Sequence, residues 1–234
     1  MLSAIAIVPS APVLVPELAG AAAAEVSDLS AAVLAAAALL PARWVVIGTG
    51  DDDGVLGPGS TGTFAGYGAD LLVRLSPDEP DKPDEPAPAA ELPVCALLAA
   101  WVRGQAAPQA AAQVRVYACD QDADTALARG GQLRAEIDEL ADSIGVLVVA
   151  DGANTLTPTA PGGYDAGNAP AQQALDDALA SGDVAALARL PQPILGRVAF
   201  QVLAGLAEPG PRSAKELYRG APYGVGYFVG VWQP

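Results

Sequence analysis

The apolar run Val146–Ala150 (VLVVA), followed at once by Asp151 and Gly152, is the clearest strand in this chain of 234 residues. A short, continuous apolar run bounded by turn residues is typical of a strand buried on both faces of a parallel sheet. The runs Ala4–Val8 and Trp44–Ile47 have the same character, and helical stretches separate the runs. The pattern predicts a single α/β domain over residues 1–234. We expect this domain to have three layers, with a central mostly parallel or mixed sheet and helices on both faces.

The other predicted elements follow from turn and capping residues. Asp122 is placed to cap a helix running to about Ser143, in which Gly130 and Gly131 weaken the first half. The glycine-rich segment Gly48–Gly68 is expected to be a loop. The segment 76–91, dense in proline and acidic residues, is expected to be an exposed loop within the domain. Further strands are expected at Leu71–Leu75, Val114–Ala118 and Val225–Trp232, and helices at Glu17–Leu40, Leu92–Val102, Ala169–Ala180, after Asp183, and at Pro193–Leu206.

The composition excludes several classes of chemistry and of partner. The chain contains no histidine, which excludes a 2-His-1-carboxylate iron site, a His-ligated zinc site and a Ser-His-Asp triad. Its net charge of −15 repels phosphate backbones and acidic headgroups, so neither nucleic acid nor a membrane is expected as a partner. The alanine-rich stretches near the start are too short to span a bilayer and follow no basic segment, so we expect a cytoplasmic location.

Cys95 and Cys119 are the two cysteines, and they form no C-x-x-C motif. Both follow or lie within apolar runs, where free buried thiols are expected, although a disulfide between them stays open.

Segments along the chain, taken together and in order, resemble a known family. They are Ile7–Leu18 (IVPSAPVLVPEL), Val45–Asp51 (VVIGTGD), Val148–Tyr164 (VVADGANTLTPTAPGGY) and Tyr218–Val229 (YRGAPYGVGYFV). This order resembles the LigB-like superfamily, which includes the catalytic subunit of the class III extradiol ring-cleavage dioxygenases and the related Memo proteins. The first segment is similar to the family's IVPHPPLLVPEL, and the second to a strand followed by S-P-H-G. The resemblance implies a LigB-like fold.

In that family, two histidines and a carboxylate hold Fe(II), and a further histidine moves protons. The resemblance places Ser10 and Gly50 where the family has its two histidine ligands, and Asn154 or Thr155 near the position of the family's loop histidine. Arg219 stands where the family has an acidic residue. Serine and asparagine are weak neutral ligands, glycine has no side chain, and arginine repels a divalent cation. The resemblance therefore implies that the Fe(II) cofactor is lost, with no catalytic and no metal-binding residue. We expect a non-catalytic pseudoenzyme, or a module that binds a small molecule or a protein.

Two enzymatic alternatives stay open. Asp51–Asp53 and Asp151 follow strand ends, and carboxylate oxygens suit Mg²⁺, Ca²⁺ or Mn²⁺. That interpretation predicts a hydrolase-like enzyme with a carboxylate-based metal site, although a solvated acidic turn is the simpler explanation of Asp51–Asp53. The second alternative is a retained ring-cleavage role with a partner subunit.

Two smaller expectations concern the pocket and the assembly. Arg219 is a candidate to pair with Asp51 or Asp151, and Tyr164, Tyr223 and Tyr227 are candidates to line the pocket. The resemblance also implies a homodimer or a partner subunit, while the identity of a small-molecule ligand is left open.

Overall fold

The computed structural model describes residues 1–77 and 91–234, and most of the acidic, proline-rich segment 76–91 lies outside the described residues. The strands are β1 (Leu2–Val8), β2 (Arg43–Gly50), β3 (Gly54–Leu56), β4 (Thr61–Thr63), β5 (Leu72–Arg74), β6 (Ala111–Ala118), β7 (Ile144–Val149), β8 (Ser213–Gly220) and β9 (Tyr227–Gln233). Seven of them form one sheet in the order β3-β6-β2-β7-β1-β9-β8, and β4 pairs with β5 separately.

The helices are α1 (Pro16–Ala19), α2 (Ser27–Ala37), α3 (Val94–Ala106), α4 (Ala123–Asp138), α5 (Ala169–Ser181), α6 (Val184–Leu187) and α7 (Arg197–Ala207). They cover both faces of the sheet. Ala4, Ala6 and Val8 of β1 belong to the core that includes α2 and α3, whereas Ile5 and Ile7 belong to the core that includes α4, α5 and α7. Because side chains alternate along a strand, these two cores lie on opposite faces. The predicted three-layer α/β architecture is confirmed.

The direction of the strands brings several loops to one edge of the sheet. Strands β6, β2, β7 and β1 are parallel, and β9 runs antiparallel to β1. The carboxyl ends of the parallel strands therefore share an edge with the amino end of β9. The chain leaves β1 toward α2 on one face and leaves β7 toward α5 on the other. A crevice between such diverging connections is where α/β sheets bind ligands.

The predicted helix Glu17–Leu40 is wrong as a single element. It is divided into α1, a 3₁₀ segment at Gly20–Ala24, and α2. Gly20 ends α1 with a φ of 54°, a conformation that glycine adopts without steric cost. Helix α4 also ends earlier than predicted, at Asp138. Asp122 caps it as expected, since its side chain accepts a hydrogen bond from the Thr125 N–H.

Other differences concern short strands and one strand without an apolar run. The segment Gly48–Gly68 is not a loop throughout, because it contains the end of β2 and the short strands β3 and β4. Strand β8 was not predicted from the sequence. It lies at the outer edge of the sheet and alternates exposed with partly buried residues, so no continuous apolar run marks it.

Helices α4 and α7 approach each other through glycines. A Cβ atom added at Gly130 would overlap the carbonyl oxygen of Val202, and one added at Gly205 would overlap that of Leu127. Gly131 has open space around its Cα. Gly130 therefore permits a close helix crossing, and α4 is continuous despite the two adjacent glycines.

Candidate functional site

The candidate site lies where β1 and β7 end. These strands pair in parallel with Val8 opposite Val149, so the residues that follow them lie side by side. The backbone N–H of Ser10 donates a hydrogen bond to Oδ1 of Asp151 at 2.8 Å. The contact joins the position where the family resemblance expects an iron ligand to the carboxylate that follows β7.

Asp151 is the electrostatically unusual group of this crevice. Burial raises its pKa from the ordinary value of 3.8 to about 7, and the hydrogen bond from the Ser10 N–H offsets only part of that effect. A neutral backbone donor stabilises a carboxylate less than a positive charge does. At neutral pH the Asp151 carboxyl is therefore divided between its protonated form, which donates a hydrogen bond, and its ionised form, which only accepts.

One tyrosine, Tyr227, interacts electrostatically with this carboxyl. The pKa of Tyr227, the first residue of β9, is raised chiefly by burial and next by the negative charge of Asp151, then by Tyr223 and Tyr218. The Tyr227 phenol therefore keeps its proton. The Tyr223 hydroxyl donates a hydrogen bond to Oε2 of Glu25 at 3.0 Å. Tyr164 is 58% exposed.

A buried glutamine connects the loop after β7 to the start of β9. The Gly152 N–H donates a hydrogen bond to the Gly226 carbonyl, and the Gly226 N–H donates to the Ala153 carbonyl, each at 2.8 Å. Oε1 of Gln172 accepts from the Ala153 N–H at 2.8 Å, and its Nε2 donates to Asp176 at 2.8 Å. A Cβ atom at Gly152 or Gly226 would overlap the Gln172 amide. The role of Gln172 was not predicted from the sequence. The one available signal is its spacing, since Gln172 lies four positions before Asp176 on the same helix.

Asn154 and Thr155 stabilise their own loop. The Asn154 carbonyl accepts a hydrogen bond from the Gly162 N–H at 3.0 Å, and the Asn154 side chain lies directly against Gly162. The Thr155 hydroxyl oxygen accepts from Nδ2 of Asn168 at 2.9 Å. Their polar groups thus hold the segment 152–168 together.

The predicted acidic cluster after β2 is divided. Gly50 ends β2, and Asp51 and Asp52 are exposed. The Asp53 carboxylate accepts hydrogen bonds from the Ala118 N–H at 2.8 Å and from Gln121 at 2.5 Å. Within residues 1–77 and 91–234, no three Asp, Glu or Cys side chains are grouped so as to hold a metal ion. The carboxylate-based metal site is therefore not assembled from these residues.

Arg219 does not lie in the crevice. Its Nε donates to Glu216 at 2.7 Å and its Nη1 to Asp177 at 2.9 Å, on the exposed edge of the sheet beside α5. The prediction that Arg219 pairs with Asp51 or Asp151 is wrong. The cause is the position of β8, which lies beyond β9 and so places Arg219 next to α5.

The residues at this site do not fit Fe(II). The chain offers no imidazole, Gly50 offers no side chain, and Ser10 offers a neutral hydroxyl, which is a weak ligand. Among the described residues, the carboxylate that contacts Ser10 is that of Asp151. This donor set supports no reaction step through iron.

The two cysteines differ in environment. Cys95 is buried in α3, its Sγ donates to the Thr49 carbonyl at 3.4 Å, and burial raises its pKa to about 11. Cys119 is exposed just beyond β6, so the prediction of a buried thiol is wrong at that position. Both thiols are free.

In the described part of the chain, no helix is both long enough and apolar enough to cross a membrane. No family model matches the chain, and no curated protein matches it. The crystal structure of uncharacterized protein JW3007 from Escherichia coli K12 is similar, with a TM-score of 0.56 over 98% of this chain and 99% of that chain. The two sequences are 12% identical, so the similarity shows a shared fold alone.

Proposed function

We propose that this protein has a LigB-like fold related to the catalytic subunit of the class III extradiol dioxygenases, lacks their iron chemistry, and binds a small hydroxylated molecule. The observation that carries the proposal is the hydrogen bond from the Ser10 N–H to Asp151 at 2.8 Å. The donor is the backbone of Ser10, the residue at the position of an expected iron ligand, and it holds the Asp151 carboxyl in place.

The polar groups of the crevice support a binding role. Asp151 carries a proton about half of the time at neutral pH, because its pKa is about 7. A carboxyl in that state donates a hydrogen bond to a ligand oxygen or accepts one from a ligand hydroxyl. Tyr227 adds a phenol group that keeps its proton, since its pKa is raised. Such a set favours a neutral ligand bearing hydroxyl groups.

Iron loading and oxygen uptake test the loss of the iron chemistry. The purified chain is incubated with Fe(II) without oxygen, desalted, and analysed for metal. It is then mixed with catechol and oxygen. We expect far less than one iron per chain and no oxygen uptake above the rate without protein. One iron per chain together with oxygen uptake would refute the proposal.

Calorimetric titration with catechol, without metal or oxygen, tests the binding role. We expect saturable binding that Asp151→Ala weakens at least tenfold. Asp120→Ala is the control because Asp120 is exposed and follows β6, which β2 separates from β7. Absence of saturable binding, or equal binding by Asp151→Ala, contradicts the proposal.

One observation favours a second candidate, a metal-free acid–base enzyme at the same crevice. A carboxyl with a pKa near the operating pH is suited to proton transfer. Chromatography of catechol incubated with the metal-free protein separates the two functions, because only the enzyme alters the ligand. The homodimer or partner subunit implied by the family resemblance stays a prediction.

A further inference from the structure

A cavity of about 320 Å³ lies between the β3–β6 edge of the sheet and helix α4. We propose that it binds a small zwitterion, a molecule that carries a carboxylate next to an ammonium group, as an α-amino acid does. Strand β2 separates this edge from the crevice after β7. The inference goes beyond the proposed function and does not depend on it.

The register of the strands brings the polar side chains of the cavity together. Arg115 and Tyr117 are two residues apart in β6, so they project from the same face, the face covered by α4. Arg129, Gln132 and Glu136 are spaced three and four residues apart on α4, so they share the helix face that borders the cavity.

Four charged side chains face the cavity in two pairs. Arg115 lies 2.8 Å from Glu136, and Arg129 lies 3.3 Å from Asp53. Burial raises the pKa of Tyr117 to about 12, and the four charges shift it further in opposing directions: the two arginines lower it, and Glu136 and Asp53 raise it. The charges therefore surround the Tyr117 hydroxyl, which keeps its proton.

The balance of charge selects the class of ligand. Two guanidinium groups and two carboxylates give a formal charge of zero around the cavity. A dianion such as phosphate would gain the guanidinium groups but would be repelled by both carboxylates. A zwitterion complements both signs, with its carboxylate on the arginines and its ammonium group on Asp53 and Glu136.

The cavity also has donors available to a ligand carboxylate. Nε of Arg115 is buried and has no hydrogen-bond partner among residues 1–77 and 91–234. A buried donor without a partner is unfavourable, so a turn of the Arg115 side chain that brings Nε to a ligand oxygen gains free energy. Arg129 has a long contact to Asp53, so its guanidinium group can turn toward the same oxygen atoms.

An apolar surface at the mouth of the cavity suits an aliphatic group. Val55 and Leu133 both line the cavity, and Val55 is 57% exposed whereas Leu133 is buried. A bound aliphatic side chain would cover Val55 and remove its apolar surface from water. Leucine is therefore a suitable probe.

Isothermal titration of the full chain with three matched compounds tests the proposal. L-leucine has both charges, 4-methylpentanoate lacks the ammonium group, and 3-methylbutylamine lacks the carboxylate. We expect saturable binding of leucine, with each of the other two at least tenfold weaker. Absence of leucine binding would refute the proposed site. Equal binding of 4-methylpentanoate would refute the proposal that the ligand is a zwitterion.

Variants locate the binding. Arg129→Gln and Tyr117→Phe should each weaken leucine binding at least fivefold. Arg134→Gln is the matched control, because Arg134 lies on the same helix but pairs with Asp138 at 2.6 Å, outside the cavity lining. Asp151→Ala should leave leucine binding unchanged, which separates this site from the crevice after β7. An equal loss in Arg134→Gln or Asp151→Ala, with thermal unfolding unchanged, overturns the assignment.

Discussion

The N–H of Ser10 donates to Oδ1 of Asp151 at 2.8 Å, and this bond joins the loops that follow β1 and β7. It supplies a neutral partner to a carboxyl that is largely buried. The partner fixes the position of the carboxyl without stabilising its charge as an arginine would. The bond is therefore compatible with a pKa of about 7 for Asp151.

The raised pKa of Asp151 predicts how stability depends on pH. The native state keeps the Asp151 proton up to about pH 7, whereas the unfolded chain loses it near the ordinary pKa of 3.8. The native state thus binds more protons between these values, so its contribution to the free energy of unfolding falls as pH rises from about 4 to 7. Over that range the loss is at most about 4 kcal/mol, at 1.36 kcal/mol per pH unit.

Asp151→Asn should remove that loss. The amide oxygen of the new side chain can still accept from the Ser10 N–H, so the variant keeps the bond without the charge. We expect urea unfolding to show the variant more stable than the native chain at pH 8 and close to it at pH 4. Asp120→Asn, at an exposed position, should show no such difference. Equal pH profiles for the native chain and Asp151→Asn would contradict the raised pKa.

The adjacent glycines of α4 should respond in opposite directions to alanine. Gly130→Ala should lower the free energy of unfolding by about 2–3 kcal/mol, because the new methyl group would meet the backbone of α7. Gly131→Ala should raise it by up to about 1 kcal/mol, because Gly131 has open space and alanine favours a helix. Chemical denaturation of both variants measures the contrast. A gain in stability in Gly130→Ala would show that α4 and α7 are not in close contact there.

Gln172 should be far more important for stability than its neighbour. Gln172→Ala removes the partner of the buried Ala153 N–H and of Asp176, so we expect a loss of about 2–4 kcal/mol. Gln173 is exposed on the same helix, and Gln173→Ala should change stability by less than about 0.5 kcal/mol. Thermal and urea unfolding compare the two. Similar losses in both variants would mean that the hydrogen bonds of Gln172 do not hold the loop after β7.

The sequence predicted the parts of the fold that depend on continuous apolar runs. The run at 146–150 corresponds to β7, and the capping residues Asp122 and Asp183 begin α4 and α6 as expected. Strand β8 was not predicted because an edge strand need not be apolar on both faces.

Side-chain partners were harder to predict because they depend on the order of strands in space. Asp53 was grouped with Asp51 by sequence, but the register of β2 and β6 brings it to Ala118 and Arg129. Arg219 was assigned to the crevice by resemblance, but the outer position of β8 brings it to Asp177. Ala118, Arg129 and Asp177 are distant in sequence from the residues that they contact, and local patterns carry no information about such pairs.

The two thiols should differ strongly in reactivity. Cys119 is exposed, whereas Cys95 is buried with a pKa raised to about 11, so little Cys95 thiolate forms at pH 8. We expect a disulfide reagent such as DTNB to modify one thiol per native chain rapidly, and the second only in denaturant. Cys119→Ala should abolish the rapid phase, and Cys95→Ala should leave it unchanged. Rapid modification of the Cys119→Ala chain in the native state would show that α3 opens readily, because the Cys95 side chain is enclosed between α3 and β2, against Gly48.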